Sequence, residues 1–319
     1  MNHESPDPSV LSVLGEIERQ AMELQLKNIG MIKKANVKID GLTVIAGEND
    51  TGKSTVGKAL FLYLHLPTSN KKANSLAHDI FGYGLNPSNS PEIRIDKDKE
   101  YEVIMIETPL VWNFTDFFRD IAQIESQIRI ELDYPYLMKD LNFKLHIKST
   151  LDGLDIKEKV TSLMGGEFKK DEMGRYYFDK QGQRVELINT ATGIKTFGIF
   201  QVLSQNNYLN KDTVLVLDEP EVHLHPKWQL EMAKIIVELV KNGVKVLVNS
   251  HSPYMIEALQ RYSELAKISS DFYLAEDGYI KKENDSNAET LAKIFEKLSE
   301  PFDVFEEMDS ESMEKLIDG

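Results

Sequence analysis

Two hydrophobic periods run along the chain. Met22, Leu24 and Leu26 stand between Glu23, Gln25 and Lys27, the period of two that a half-exposed strand needs. Ala35, Val37 and Ile39 repeat it, while Leu42–Ala46 is a short apolar run suited to a strand buried on both faces. A helix is predicted from about Lys53 to Leu64. Residues 66–90, rich in Asn, Ser, Gly and Pro, read as loop. Ile93 with Ile95, and Val103–Ile106, return to strand. Phe114, Phe117, Phe118, Ile121 and Ile124 have helical spacing, and strand-like alternation follows near Leu145 and Ile147. No heptad pattern is sustained there, which argues against a long coiled coil. Gly165-Gly166 reads as a turn between strands.

In the second half, a helix is predicted from Gly193 to about Ser204 and a buried strand over Val214–Leu217. Pro226, suited to a first helical position, opens a helix through Leu230, Ala233, Ile236, Val237 and Val240, and Gly243 caps its end. Val244–Val248 is a further buried strand. Strands alternating with helices give an α/β fold with a mixed or parallel core sheet, preceded by antiparallel strands. The expected divisions are an extension over 1–21, in which Val10, Leu11, Val13, Leu14 and Ile17 form one short amphipathic helix, a body over 22–300 and an acidic tail over 301–319. The body carries an insertion at about 111–185.

Composition narrows the chemistry. The 319 residues include 52 acidic and 37 basic side chains, a formal net charge of −15, which disfavours nucleic acid as a whole-surface partner. The absence of cysteine removes disulfides, thiolate metal sites and thiol nucleophiles, and fits a reducing compartment. The first residues lack the basic and apolar regions of a signal peptide, and no apolar run approaches the ~20 residues that span a bilayer. A soluble, cytoplasmic protein is expected.

Gly47-Glu48-Asn49-Asp50-Thr51-Gly52-Lys53-Ser54 fits the phosphate-loop pattern, with a buried strand before it and a helix after it. Glycines let the loop wrap until its N–H groups face phosphate oxygens, and the helix N-terminus adds a favourable dipole. Lys53 is expected on the β- and γ-phosphates of ATP and Ser54 on Mg²⁺, with Thr55 in the same first helical turn. Thr213–Leu217 then ends in Asp218-Glu219. Asp218 is expected to hold Mg²⁺ and Glu219 to orient and polarise the attacking water. Ser250-His251-Ser252-Pro253 closes the Val244–Val248 strand, and ligands in open α/β sheets gather at such strand ends. His251 is expected to sense the γ-phosphate. His223 and His225, with Glu221, form a weak His-x-His pattern without a third ligand cluster, so no metal is assigned to them.

Together, Asp218-Glu219-Pro220-Glu221-Val222-His223-Leu224-His225-Pro226 and Ser250-His251-Ser252-Pro253 resemble the ABC-type ATPases of the RecF/SMC/OLD group. They are most similar to the stand-alone AAA family ATPases related to OLD-type proteins, many of which act in bacterial phage defence. Leu24–Gly30 is similar to that group's first strand, and the resemblance spans about residues 22–300. It implies an ABC-type ATPase head: a P-loop core, an antiparallel β lobe and a short helical insertion. It also implies a homodimer on ATP binding, in which a signature stretch acts on the ATP of the other subunit. Here that stretch is Asn189–Lys195, with Thr190 or Thr192 supplying the hydroxyl in place of the usual serine, Gly193 opening the helix and Lys195 beside it. Gln123 lies in the general region of the glutamine that such enzymes set on Mg²⁺.

The resemblance further implies a protein effector encoded nearby and leaves nucleic acid as an indirect partner. OLD-type nucleases carry a C-terminal Toprim domain, absent from these residues, so nuclease activity is expected from a partner. Two other readings stand beside the ATP-hydrolysing switch. One is an ABC transporter subunit, against which the signature and the Asp218–Pro226 run argue. The other is a non-hydrolysing scaffold, against which Glu219 argues.

Overall fold

The computed structural model describes residues 21–69, 71–85, 90–128 and 135–317. The amphipathic segment expected within 1–21 lies outside them. The strands are β1 (Met22–Ile29), β2 (Ile32–Ile39), β3 (Leu42–Ala46), β4 (Glu92–Asp96), β5 (Glu102–Ile106), β6 (Glu167–Lys170), β7 (Tyr176–Lys180), β8 (Gln183–Glu186), β9 (Thr213–Asp218), β10 (Lys245–Ser250), β11 (Ser270–Glu276) and β12 (Tyr279–Lys281). The helices are α1 (Lys53–His65), α2 (Ala73–Phe81), α3 (Thr115–Ile128), α4 (Tyr136–His146), α5 (Lys157–Met164), α6 (Thr192–Gln205), α7 (Pro226–Lys241), α8 (Pro253–Ala266) and α9 (Asn287–Ile317).

Among the described residues, nine strands form one sheet in the order β4-β1-β2-β12-β11-β3-β10-β9-β5. From β11 to β5 every neighbouring pair is parallel, whereas β1 pairs antiparallel with both β2 and β4. A second, smaller sheet, β6-β7-β8, is antiparallel. The expected α/β fold, with a mixed core and an antiparallel lobe, is the one observed.

Alternation along the central strands fills both faces of the sheet. Leu42, Val44, Leu215, Leu217, Val246 and Val248 face a core completed by α6, α7 and α8. Ile45, Val214, Val216 and Leu247 face a second core with Val56, Leu60 and Phe61 of α1. Each such side chain removed from water contributes roughly 1.5–3 kcal/mol, which is why the strands read as apolar runs. Parallel order then places the ends of β3, β9 and β10 side by side: Ala46 is level with Ser250, and Asp218 with Asn249.

Three expectations for local structure are corrected. Within the expected loop 66–90, α2 forms because Leu76, Ala77 and Ile80 fall on one helical face and bury against the second core. The strand expected near Leu145 and Ile147 is helix α4, in which Leu141 and Leu145 are buried one turn apart and Ile147 caps the end. Gly165 follows a helix: it ends α5 in the left-handed region at φ 67°. Gly166 then enters β6, where a Cβ would lie 2.4 Å from the Asp179 carbonyl oxygen. Separately, helix α9 runs without a break across the expected boundary between the body (22–300) and the acidic tail (301–319).

Candidate nucleotide site at the ends of β3, β9 and β10

The turn from β3 into α1 carries the phosphate-loop residues. Gly47 has no room for a side chain, since a Cβ there would stand 2.5 Å from the Ala275 carbonyl oxygen. Gly52 precedes α1 at φ 91°, where a Cβ would also meet Ile32 Cδ1 at 2.6 Å. Gly47 therefore needs glycine for space against backbone, and Gly52 needs it for its backbone angle. Glu48, Asn49 and Asp50 are exposed at the tip, and Thr51 Oγ1 donates to the Glu48 carbonyl at 2.9 Å. Thr55 lies in the first turn of α1 beside Gly30. Lys53 is buried, and its ammonium donates to the carbonyls of Gly47 (2.9 Å) and Glu48 (2.5 Å), folding across the loop mouth. Burial pushes the Lys53 ammonium below its usual pKa, opposed by the charges of Glu219, Asp218, Glu221 and Glu48. A buried cation with so few fixed partners suits an incoming anion.

Ser54 Oγ donates to Asp218 Oδ1 at 3.1 Å, and Asn249 Nδ2 donates to the same oxygen at 2.8 Å. This hydroxyl and carboxylate fit a Mg²⁺ ion, which takes one or two protein oxygens and fills its remaining positions with phosphate and water. Asn249 is fully buried, and its Oδ1 makes no hydrogen bond among the described residues. Sequence reasoning missed Asn249. Its role rests on β10 lying parallel to β9 with Asn249 level with Asp218, a register that composition does not reveal.

Beyond Asp218 the chain turns sharply. Glu219 (φ 49°) and His223 (φ 67°) both adopt left-handed backbone, which is strained for non-glycine residues and gathers at functional sites. Glu219 N donates to the Asn249 carbonyl at 2.9 Å, tying the turn to β10. Glu219 Oε1 and His251 Nδ1 are hydrogen-bonded at 3.2 Å. The predicted water-activating carboxylate and the predicted sensing histidine thus touch each other at one sheet edge. His225 serves as the N-cap of α7, its Nδ1 accepting from Lys227 N.

The signature stretch borders this cluster at Gly193, and Thr190 and Lys195 hydrogen-bond elsewhere. Thr190 is buried and donates to the Glu186 carbonyl at 3.0 Å, so its hydroxyl is already used. Thr192, half-buried, is the first residue of α6, which leaves its hydroxyl as the better candidate. A Cβ on Gly193 would lie 3.3 Å from Leu224 Cδ2, so the start of α6 abuts the turn after Glu219. Lys195 is buried and donates to Asn113 Oδ1 at 2.7 Å, while its carbonyl accepts from Trp112 Nε1 at 2.8 Å. The polar contacts of Thr190 and Lys195 are thus with Glu186, Asn113 and Trp112, not with the loop 47–55. The side chain of Gln123 lies outside the described residues.

Residues 120–256 match the family described as AAA ATPase domain. That span holds Thr192, Gly193, Lys195, Asp218, Glu219 and His251 and begins after the phosphate loop. Among solved structures, an SMC head bound to the C-winged helix domain of ScpA is 14% identical, covering 82% of this chain and 96% of that one at a TM-score of 0.48. An SMC head with an extended coiled coil, derived from Pyrococcus furiosus and bound to the C-terminal domain of ScpA, is 12% identical, with 82% and 95% covered and a TM-score of 0.44. The ADP conformation of an ATP-binding cassette of an ABC transporter is 15% identical, with 88% and 96% covered and a TM-score of 0.41. The chain has an α/β P-loop fold, and its residues 120–256 match the model of the AAA ATPase domain family.

Proposed function

We propose that this chain is a Mg²⁺-dependent ATP hydrolase that works as an ATP-closed homodimer and switches a partner protein. The observation that carries the reading is the meeting of Ser54, Asp218, Glu219 and His251 at the mouth of the Gly47–Ser54 loop. Lys53 neutralises the β- and γ-phosphates, and the N–H groups of the loop and of the first turn of α1 bind their oxygens. Ser54 and Asp218 would hold Mg²⁺, which would supply neutralisation of charge on the β- and γ-phosphates. Glu219 positions and polarises a water for attack on the γ-phosphorus. His251, hydrogen-bonded to Glu219, registers the γ-phosphate.

Dimerisation is supported by the placement of the signature stretch. At the start of α6, Gly193 stands next to Leu224 and His223, in the turn that follows Glu219. A helix N-terminus at this place suits a γ-phosphate presented by a second copy. Closing two such faces shifts a bound partner by the difference in its affinity for the open and closed states. The resemblance of Asp218–Pro226 to OLD-related ATPases supports a cytoplasmic role in phage defence, with the effector encoded nearby.

The test is Glu219→Gln, which removes the water-polarising charge and leaves the nucleotide contacts in place. In saturating ATP and Mg²⁺ this variant is expected to hydrolyse slowly and to double its mass by light scattering. A variant that binds ATP and stays monomeric contradicts the composite site.

A further inference from the structure

Glu221 is assigned no part in the chemistry above, yet it is 4% exposed and more heavily engaged than Glu219. Its Oε1 accepts from Ser250 Oγ at 2.7 Å, from the backbone N–H of His251 at 2.9 Å and from that of Ser252 at 3.2 Å. The donors are the last residue of β10 and the two residues that follow it, the segment that carries the histidine. Its Oε2 is buried and makes no hydrogen bond among the described residues. His251 Nδ1 lies 3.7 Å from Glu221 Oε1 and 3.2 Å from Glu219 Oε1, so the imidazole sits between two carboxylates.

The backbone explains how two glutamates reach one ring. The left-handed residues Glu219 and His223 wind residues 219–224 into a tight turn, closed by Val222 N to the Glu219 carbonyl and Leu224 N to the Glu221 carbonyl. A second strap fixes the same two segments: Ser252 Oγ donates to Gln229 Oε1 at 2.6 Å, and Gln229 Nε2 donates to the Leu224 carbonyl at 3.1 Å. Gln229 thus anchors the loop's far end, and Glu221 grips the histidine itself. A group that must act in one place needs its rotamer and backbone held by neighbours.

We infer that Glu221 is a positioning residue for His251: by gathering Ser250, His251 and Ser252 onto one oxygen, it sets the imidazole against Glu219 and opposite the nucleotide. The inference rests on the ATPase reading for its effect on turnover. The hydrogen bonds of Glu221 all go to Ser250, His251 and Ser252, so its removal is expected to act mainly through His251, with only a small effect on ATP affinity through its charge near Lys53.

The test is a cycle of Glu221→Ala, His251→Ala and the double variant, with Glu221→Gln and Ser250→Ala beside them. Expected for Glu221→Ala is a fall in kcat on the order of tenfold or more, part of the ~10²–10⁴ that a positioned acid or base contributes. Its Kd for a fluorescent ATP analogue should stay within about threefold, and the double variant should be no slower than His251→Ala alone, because groups acting as one unit are not additive. Glu221→Gln keeps an acceptor at Oε1 and should recover most of kcat. Ser250→Ala, which removes one donor of three, should lose less than Glu221→Ala. If Glu221→Ala does not fold, Glu221→Asp, which withdraws the carboxylate by one methylene, takes its place in the cycle. A wild-type kcat in the Glu221 variant, or penalties that multiply in the double variant, overturns the inference while leaving the ATPase reading intact. An inactive wild type would end the ATPase reading instead. The placement of His251 is then still tested by its imidazole NMR signals in nucleotide-free protein: they should move in Glu221→Ala and stay in Glu221→Gln, and unmoved signals in both overturn it.

Discussion

Ser54 and Asp218 are 164 residues apart in sequence, and the hydroxyl of one donates to the carboxylate of the other at 3.1 Å. The contact exists because β3 and β9 flank β10 in one parallel register, so the residues that follow them converge. Asn249 supports it from β10, donating to the same Asp218 oxygen. Asp218→Ala should lower Mg²⁺-dependent turnover by on the order of 10² or more, the scale of losing a charge-stabilising group. Asn249→Ala should keep Asp218 but leave it free to swing, weakening Mg²⁺ affinity by about 10- to 100-fold. Magnesium titrations of nucleotide binding check both. An Asn249→Ala variant with wild-type magnesium dependence would remove Asn249 from the site.

Lys144 of α4 carries the buried charge that pins the insertion to the sheet. Its ammonium lies 2.7 Å from Asp140 Oδ2 and 3.1 Å from Glu102 Oε1 on β5, with a side chain 4% exposed. Lys144→Met fills the space but strands Asp140, which is itself largely buried. Glu102 is 40% exposed and can turn to water, which limits the damage. A loss of about 3 kcal/mol is expected, at the low end for breaking a buried pair. Denaturant unfolding checks it, and an unchanged midpoint would show that the cluster contributes nothing net.

Gly198 faces Phe168 across the junction of α6 and the small sheet. A Cβ at Gly198 would come within 2.3 Å of the Phe168 ring, which stacks on Trp112 at 4.7 Å between centroids. Backbone of α6 stands on one side and a stacked pair on the other, so the ring has little room to retreat. Gly198→Ala should cost about 1–3 kcal/mol despite its better helix propensity. A stabilised variant would mean that the ring moves freely.

The phosphate loop, Asp218, Glu219 and His251 stood out as candidates in the sequence because such chemistry is written in residue type at fixed spacing, and their strands are apolar on both faces. Helix α2 was not, because Leu76, Ala77 and Ile80 are scattered among Lys, Asn and Ser in a stretch whose composition resembles loop. Leu145 and Ile147 misled for a different reason: two apolar residues two apart fit a strand, while the helical partner of Leu145 is Leu141, four residues earlier. Asn249 and Glu221 did not stand out as candidates, since each is brought to the cluster by hydrogen bonds to residues about 30 positions away in sequence. Only sheet register and the left-handed turn at Glu219 bring them to the site.

The most direct test of the account is ATP turnover by the purified chain, wild type against Lys53→Ala, with nucleotide binding measured on both. Lys53 is the buried ammonium at the loop mouth, hydrogen-bonded among the described residues to the carbonyls of Gly47 and Glu48. The account predicts Mg²⁺-dependent release of phosphate by the wild type, and loss of both turnover and tight ATP binding in Lys53→Ala. Phosphate release at a near wild-type rate in Lys53→Ala would contradict it.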